Sequence, residues 1–363
     1  MAVHNTETDG IAKIKVIGVG GGGSNAVSRM YKERIEGVEY LAVNTDAQAL
    51  FQSDIPNRFR IGDKLTEGKG VGGKPDIGRQ SAEENRDELE DMLRDTDMVF
   101  IAAGMGGGTG TGAAPVIAEV AKESNALTVG VVTKPFGFEG VQRSRNAEEG
   151  IKRLREVVDT LIVIPNDRLM AACGHDISAA DAFKLADDVL QQGVQSIAEL
   201  VTVPGVINLD FNDVRTIMSS AGPAWMAIGY GSGENRAIEA TQQAIASPLL
   251  DVSIDGAKGI LFNVIGGSDL KLSEIHIAAD VISRVVDPDA NIIFGMVTDL
   301  KMENEVKITI IATGFPGSED ITGRVDQEIN SLLLDALGDE ESLDIPPFLR
   351  QHPGARRRTI PLF

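Results

Sequence analysis

The chain has 363 residues, 42% of them hydrophobic, and a formal charge of −20. That length allows two domains of ordinary size, each with its own core, while the acid excess excludes nonspecific attachment to nucleic acid or to an anionic membrane surface, both of which need a basic patch. One cysteine, Cys173, excludes an internal disulfide, and four scattered histidines give no zinc spacing, so His175 beside it reads as a loop or packing residue.

In chain order, residues 1–10 are polar and lack the apolar core of a signal peptide, and no apolar run approaches the roughly 18 residues of a membrane span, which predicts a cytoplasmic protein. Ile14-Lys15-Val16-Ile17-Gly18-Val19-Gly20 predicts a strand running into Gly20-Gly21-Gly22-Gly23, with a helix beginning at Ser24. Gly18, Gly20 and Gly23 satisfy G-x-G-x-x-G in the strand–turn–helix context of a dinucleotide fold. The next strand, Tyr40 to Asn44, ends at Thr45-Asp46, and Asp46 is the candidate ribose-binding acid of a Rossmann unit, at a longer gap than usual. Gly68 to Lys74 fits G-x-x-x-x-G-K, but Pro75 stands where a Walker loop needs Ser or Thr, and no clear strand leads into it. Gly70 to Gly73 is therefore either a loop over the nucleotide or a plain connection. A helix from Gln80 to Arg94 returns to the next strand.

Met98 to Ala103 reads as a buried strand, and a helix is expected near Ala113, with Pro115 in its first turn and Val116, Ile117 and Val120 on one face. Between them lies Gly106-Gly107-Gly108-Thr109-Gly110-Thr111-Gly112, five glycines in seven residues. A turn needs only one or two glycines. The surplus, with two hydroxyls at a helix amino end, points to a phosphate held by backbone N–H groups and the helix dipole. Leu127 to Val132 and Thr160 to Ile164 are further buried strands, ending at Thr133 to Gly140 and at Pro165-Asn166-Asp167. Strands alternating with helices predict a mostly parallel sheet whose ligands collect at the strands' carboxyl ends. Gly20, Asp46, Gly104, Thr133 and Asn166 all fall at such ends, so one cleft gathers them.

From Ser178 a long helical pattern runs through Phe183, Ala186, Leu190, Val194, Ile197 and Val201, with Ser178 and Asp181 at capping-box spacing. Its length suits a helix bridging two domains. After Pro204-Gly205 comes Val206 to Asp213, then a helix from Val214. Asp210 and Asp213 stand out there, although Asp213 reads equally well as that helix's N-cap. Strand-like runs at Gly259 to Ile265, Ala290 to Val297 and Val306 to Thr313, with a helix from Leu272 to Val286, predict a second α+β domain. Residues 317–342 carry eight acids against one Arg, the composition of a solvated linker, although Val325, Ile329, Leu332 and Leu333 keep helical spacing. Leu343 to Arg350 is an apolar–acidic segment in a polar tail and reads as a docking peptide, with Arg356-Arg357-Arg358 beyond it. The expected boundaries are 1–10, 11–177, 178–203, 204–316, 317–342 and 343–363.

These residues describe a nucleotide cleft without a convincing catalytic set. Neither glycine loop holds a lysine, and no Ser-His-Asp or Cys-His arrangement follows from spacing. Gly106 to Gly112 resembles the tubulin-family signature. Together with Ile14 to Asn25, Asn44-Thr45-Asp46, Phe136 to Gly140 and Asn208 to Asp213 it resembles the FtsZ family, over roughly residues 11–315 and again at 343–350.

The resemblance implies an α/β fold, with a Rossmann-like GTPase domain of tubulin/FtsZ type joined by a long central helix to a second α+β domain. It implies a cytoplasmic GTPase that assembles head to tail with copies of itself into protofilaments of the mid-cell division ring, using GTP and Mg2+ and releasing GDP. Gly21, Gly22, Gly23, Ser24 and Asn25, with Gly108, Thr109 and Gly110, match the phosphate loops. Glu139 and Arg143 match ribose and phosphate contacts, and Asn166, Phe183 and Asp187 match the guanine pocket. Guanine offers N1–H and an amine to a carboxylate such as Asp187, whereas adenine presents an acceptor at N1. Asp210 and Asp213 match the loop inserted over a neighbour's GTP to orient the attacking water. Residues 343–350 resemble the family's peptide for FtsA-like membrane tethers and other division proteins; neither nucleic acid nor direct membrane insertion is expected. The linker is short for the family, which bears on the reach to a membrane anchor, and Ala227 stands where the family often has glycine. The competing functions are an NAD(P)-dependent Rossmann oxidoreductase built on Gly18, Gly20, Gly23 and Asp46, and a filament protein that does not hydrolyse nucleotide.

Overall fold

Strands that are apolar along most of their length belong where both faces of a sheet are covered, and the chain supplies five such runs in its first half. In the computed structural model, which describes residues 12–35, 37–173, 178–203, 209–247 and 256–315, these become adjacent parallel strands. The order of elements is β1 (Ile14–Val19), α1 (Gly20–Glu33), β2 (Val38–Asn44), α2 (Ala47–Gln52), β3 (Asn57–Arg60), α3 (Asp63–Thr66), α4 (Pro75–Glu84), α5 (Arg86–Leu93), β4 (Met98–Gly104), α6 (Thr109–Glu123), β5 (Leu127–Lys134), α7 (Val141–Val157), β6 (Thr160–Pro165) and α8 (Asn166–Cys173). It continues with α9 (Ala179–Thr202), α10 (Phe211–Met218), β7 (Gly222–Ser232), α11 (Arg236–Ile245), β8 (Gly259–Gly266), α12 (Leu272–Ser283), β9 (Asn291–Thr298) and β10 (Glu305–Thr313). Expectations for residues 1–10, for Cys173 and His175 as side chains, for 204–208 and for everything beyond 315 lie outside the described residues.

The sheet order is β3-β2-β1-β4-β5-β6-β7-β10-β8-β9. Strands β1 to β6 run parallel in the doubly wound order 3-2-1-4-5-6. β7 joins β6 through only three residue pairs, Thr160↔Gly222 to Ile162↔Ala224, and then pairs antiparallel with β10. One hydrophobic cluster packs α1 and α9 against the parallel sheet and reaches Met226, Leu261 and Ile311 of the later strands. A second lies on the opposite face under α5, α6 and α7, and a third packs α11 and α12 on the later strands. Helix α9 carries Ala186, Leu190, Val194 and Ile197 buried in the first cluster, as the 3.6-residue spacing predicts. Its N-cap is Ser178, whose side chain accepts from the Asp181 N–H.

Three departures have local causes. The helix expected over Gln80–Arg94 is two helices, because Asn85 breaks it, with its side chain accepting the Gly62 N–H at 2.9 Å. β7 and α11 were not expected; β7 reads weakly because glycines interrupt its apolar residues. Ala227 on β7 is buried in the third cluster, so it is a packing residue. Helices α1 and α6 begin inside their glycine runs, at Gly20 and Thr109, rather than at Ser24 and Ala113, which leaves Pro115 in the interior of α6.

Candidate active site

At the carboxyl ends of the parallel strands lies a cleft of about 630 Å³. Its phosphate-type end is built from the amino ends of α1 and α6. Neither N-cap, Val19 or Gly108, makes a side-chain cap hydrogen bond, so the first-turn N–H groups are left to an anion or water. The two loops touch: a Cβ on Gly20 would lie 2.8 Å from the Gly110 nitrogen. Only Gly20 (φ 72°) and Gly106 (φ 102°) need glycine for their backbone conformation among these runs. Gly112 is required for approach instead, since a Cβ there would sit 2.0 Å from the Pro75 carbonyl oxygen of α4. The glycine surplus thus serves helix packing as well as the anion cradle.

Gly21, Gly22, Gly108, Thr109 and Gly110 line the cleft, whereas Gly23, Ser24 and Asn25 do not. Gly23 packs α1 on β4, a Cβ there falling 2.1 Å from the Ala102 oxygen. The Ser24 hydroxyl donates to the Gly18 carbonyl at 3.3 Å, and Asn25 lies on the exposed face of α1. The loop Lys69–Gly73 lines the cleft and is therefore more than a connection. The Walker match fails structurally too, because Pro75 opens α4 and α3 separates the loop from β3.

Lys69 and Arg143 are the basic residues of the lining, and each is paired, Lys69 with Glu67 at 2.5 Å and Arg143 with Glu139. Glu139 also accepts the Phe136 N–H at 2.9 Å. Anion binding here therefore falls mainly to backbone dipoles, as expected of loops without a lysine.

The other end suits a base. Asn166, the first residue of α8, is 4% exposed, and its Oδ1 has no hydrogen-bond partner among the described residues. Phe183 and Asp187 project from α9 one turn apart and both line the cleft. Burial pushes the Asp187 carboxyl up from 3.8 to about 6; Arg29 of α1, 3.5 Å away, pulls it down, and Asp188 adds to the rise. Phe183 stands edge-on to Phe136 at 5.3 Å and to Phe138 at 6.3 Å, forming an aromatic rim. A buried carboxylate and a buried amide oxygen, both acceptors, match a base that presents donors. Arg29 escaped the sequence reading because nothing in the chain connects it with Asp187, 158 residues later.

Two expectations change. Asp46 lines the cleft and is also the N-cap of α2, its Oδ1 accepting from Gln48 and Ala49 N–H at 2.8 and 3.1 Å, so one of its oxygens is occupied by the cap. Helix α10 starts at Phe211, so its N-cap is Asp210, whose Oδ1 accepts the Asp213 N–H at 2.9 Å. Asp213 lies in the first turn with an exposed carboxylate that takes no hydrogen bond or ion pair from the described residues. Neither aspartate lines the cleft. Among the described residues no three acids, histidines or cysteines cluster as a metal site, and no helix is long and apolar enough to cross a membrane.

Residues 13–174 match the model of the Tubulin/FtsZ family GTPase domain, and residues 222–316 match that of the FtsZ family C-terminal domain. Among solved structures, the chain is similar to an empty FtsZ dimer from M. jannaschii, with 47% identity, a TM-score of 0.81, and coverage of 84% of this chain and 88% of that one. It also resembles a GTPγS-bound CetZ2 protofilament from Haloferax volcanii at 20% identity and TM-score 0.73, covering 88% and 99% of the two chains, a likeness of fold alone.

Proposed function

This chain belongs to the tubulin/FtsZ family of GTPases, and on that premise we propose that it is a division-ring filament protein whose GTP is hydrolysed at the junction between two copies. The observation that carries the reading is the division of parts. The cleft holds an anion cradle and a set of base acceptors, yet the exposed acids Asp210 and Asp213 lie outside it on α10. In the proposed filament, α10 of one subunit closes the cleft of the next. Asp213 then orients and polarises the attacking water, Asp210 holds the turn that presents it, and the α1 and α6 amides stabilise charge on the transferred phosphoryl group.

Gly21, Gly22, Gly108, Thr109 and Gly110 hold the phosphates in this reading, Glu139 and Arg143 hold the ribose and phosphate edge, and Asn166, Phe183 and Asp187 read guanine. Magnesium, for which the described residues offer no ready-made cage, would arrive on the nucleotide's own oxygens with waters around it, as suits an ion that dehydrates reluctantly. Residues 343–350 are the proposed docking peptide for an FtsA-like membrane tether. An NAD(P) oxidoreductase is not retained, since the family to which the chain belongs is one of GTPases.

Sedimentation of the purified chain with GTP, GDP and ATP in parallel tests the reading. GTP should pellet the protein and release phosphate, and ATP should do neither. Equal pelleting with ATP would sink the assignment of the base pocket.

A further inference from the structure

Thr45 lies at the end of β2, fully buried, and its hydroxyl oxygen is 2.7 Å from that of Thr109, the first residue of α6. Its carbonyl accepts the Gly70 N–H at 3.3 Å and the Thr66 hydroxyl at 3.4 Å. The backbone of Thr45 therefore ties down the loop Lys69–Gly73, while its side chain reaches only the Thr109 hydroxyl. Both threonines line the cleft.

Two hydroxyls in contact place one of their two protons between them, and the direction of that bond matters. If Thr109 donates to Thr45, its oxygen turns lone pairs toward the cleft and repels an anion. If Thr45 donates to Thr109, the Thr109 proton is free to point at a phosphate oxygen. A chain O–H···O–H···O⁻ is then formed in which each bond polarises the next. Resting on the reading of this cleft as a GTP site, we infer that Thr45 is a positioning residue that orients the Thr109 hydroxyl as a phosphate donor without touching the nucleotide itself. The amide cradle supplies fixed donors; this pair supplies one whose direction is set by a buried neighbour.

Packing and hydroxyl roles predict opposite orders for two substitutions, which makes the inference testable. Thr45→Val keeps the shape and loses the oxygen, while Thr45→Ser keeps the oxygen and loses a methyl. Calorimetric titration of each full-length variant with GTP, GDP and ATP is the measurement, together with thermal unfolding of the nucleotide-free protein. Thr45→Val should weaken both nucleotides about tenfold, the scale of one charge-assisted hydrogen bond, and leave the preference for GTP over ATP unchanged. Thr45→Ser should bind within about twofold of the parent even though it unfolds at lower temperature, as loss of a buried methyl requires. Val binding like the parent while Ser binds poorly would overturn the inference and return Thr45 to a packing role. Failure of the unaltered protein to bind GTP would instead overturn the reading of the cleft.

Discussion

Burial holds the Asp187 carboxyl protonated well above the ordinary range, with a value raised from 3.8 to about 6. The folded, nucleotide-free protein thus binds that proton more tightly than the unfolded chain. Stability from this group is fully present below pH 3.8 and is lost as pH rises through about 6, an ionisation cost of roughly 3 kcal/mol. In the proposed guanine site the base reverses the preference, because its N1–H and amine donate to the ionised form. Affinity for guanosine, chosen because it carries no phosphate that titrates in this range, should fall about tenfold between pH 7 and pH 5 in calorimetric titrations. A flat profile would place base recognition elsewhere. Arg29 limits the effect by favouring the ionised carboxylate, and Asp188 extends it.

The glycines of α1 illustrate how one run of identical residues divides its tasks along a helix. Gly23 faces β4 so closely that a Cβ would lie 2.1 Å from the Ala102 carbonyl oxygen, while Gly21 faces the cleft with no heavy atom within 4 Å of a Cβ. Gly23→Ala must push α1 off the sheet and should cost about 2 to 3 kcal/mol in urea unfolding, as overpacking of a rigid contact does. Gly21→Ala should leave stability equal or higher by about 0.5 to 1 kcal/mol, from helix propensity, yet reduce GTP affinity. Equal destabilisation by both would mean that the run acts only as a scaffold. The early starts of α1 and α6 have the same origin. Glycine and threonine are weak helix formers, so local preference placed the boundaries later, and packing against β4 and α4 moved them forward.

At the scale of the whole molecule, the proposed filament makes the cleft and the α10 acids one site only where two copies meet. Asp213→Ala should bind GTP and form sedimentable polymer as the parent does, while phosphate release falls at least about a hundredfold, the lower end of a lost acid–base contribution. Turnover per molecule should also rise with protein concentration, and a rate constant from dilute to concentrated samples would falsify shared catalysis. The buried parallel strands, their order of appearance, the long helix α9 and the two glycine runs were all legible in the residues themselves. Short apolar runs of five or six residues rich in Val and Ile and bounded by turn residues favour buried strands over helices, and five glycines in seven residues exceed what a turn needs. Which glycines face a ligand and which face a neighbouring backbone was not legible, because approach distance depends on elements far apart in the chain. The commitment of Asp46 to a cap, the pairing of Arg29 with Asp187 and the hydroxyl contact between Thr45 and Thr109 were decided by tertiary structure for the same reason: local sequence sets what a side chain can do, and only folding supplies the partner.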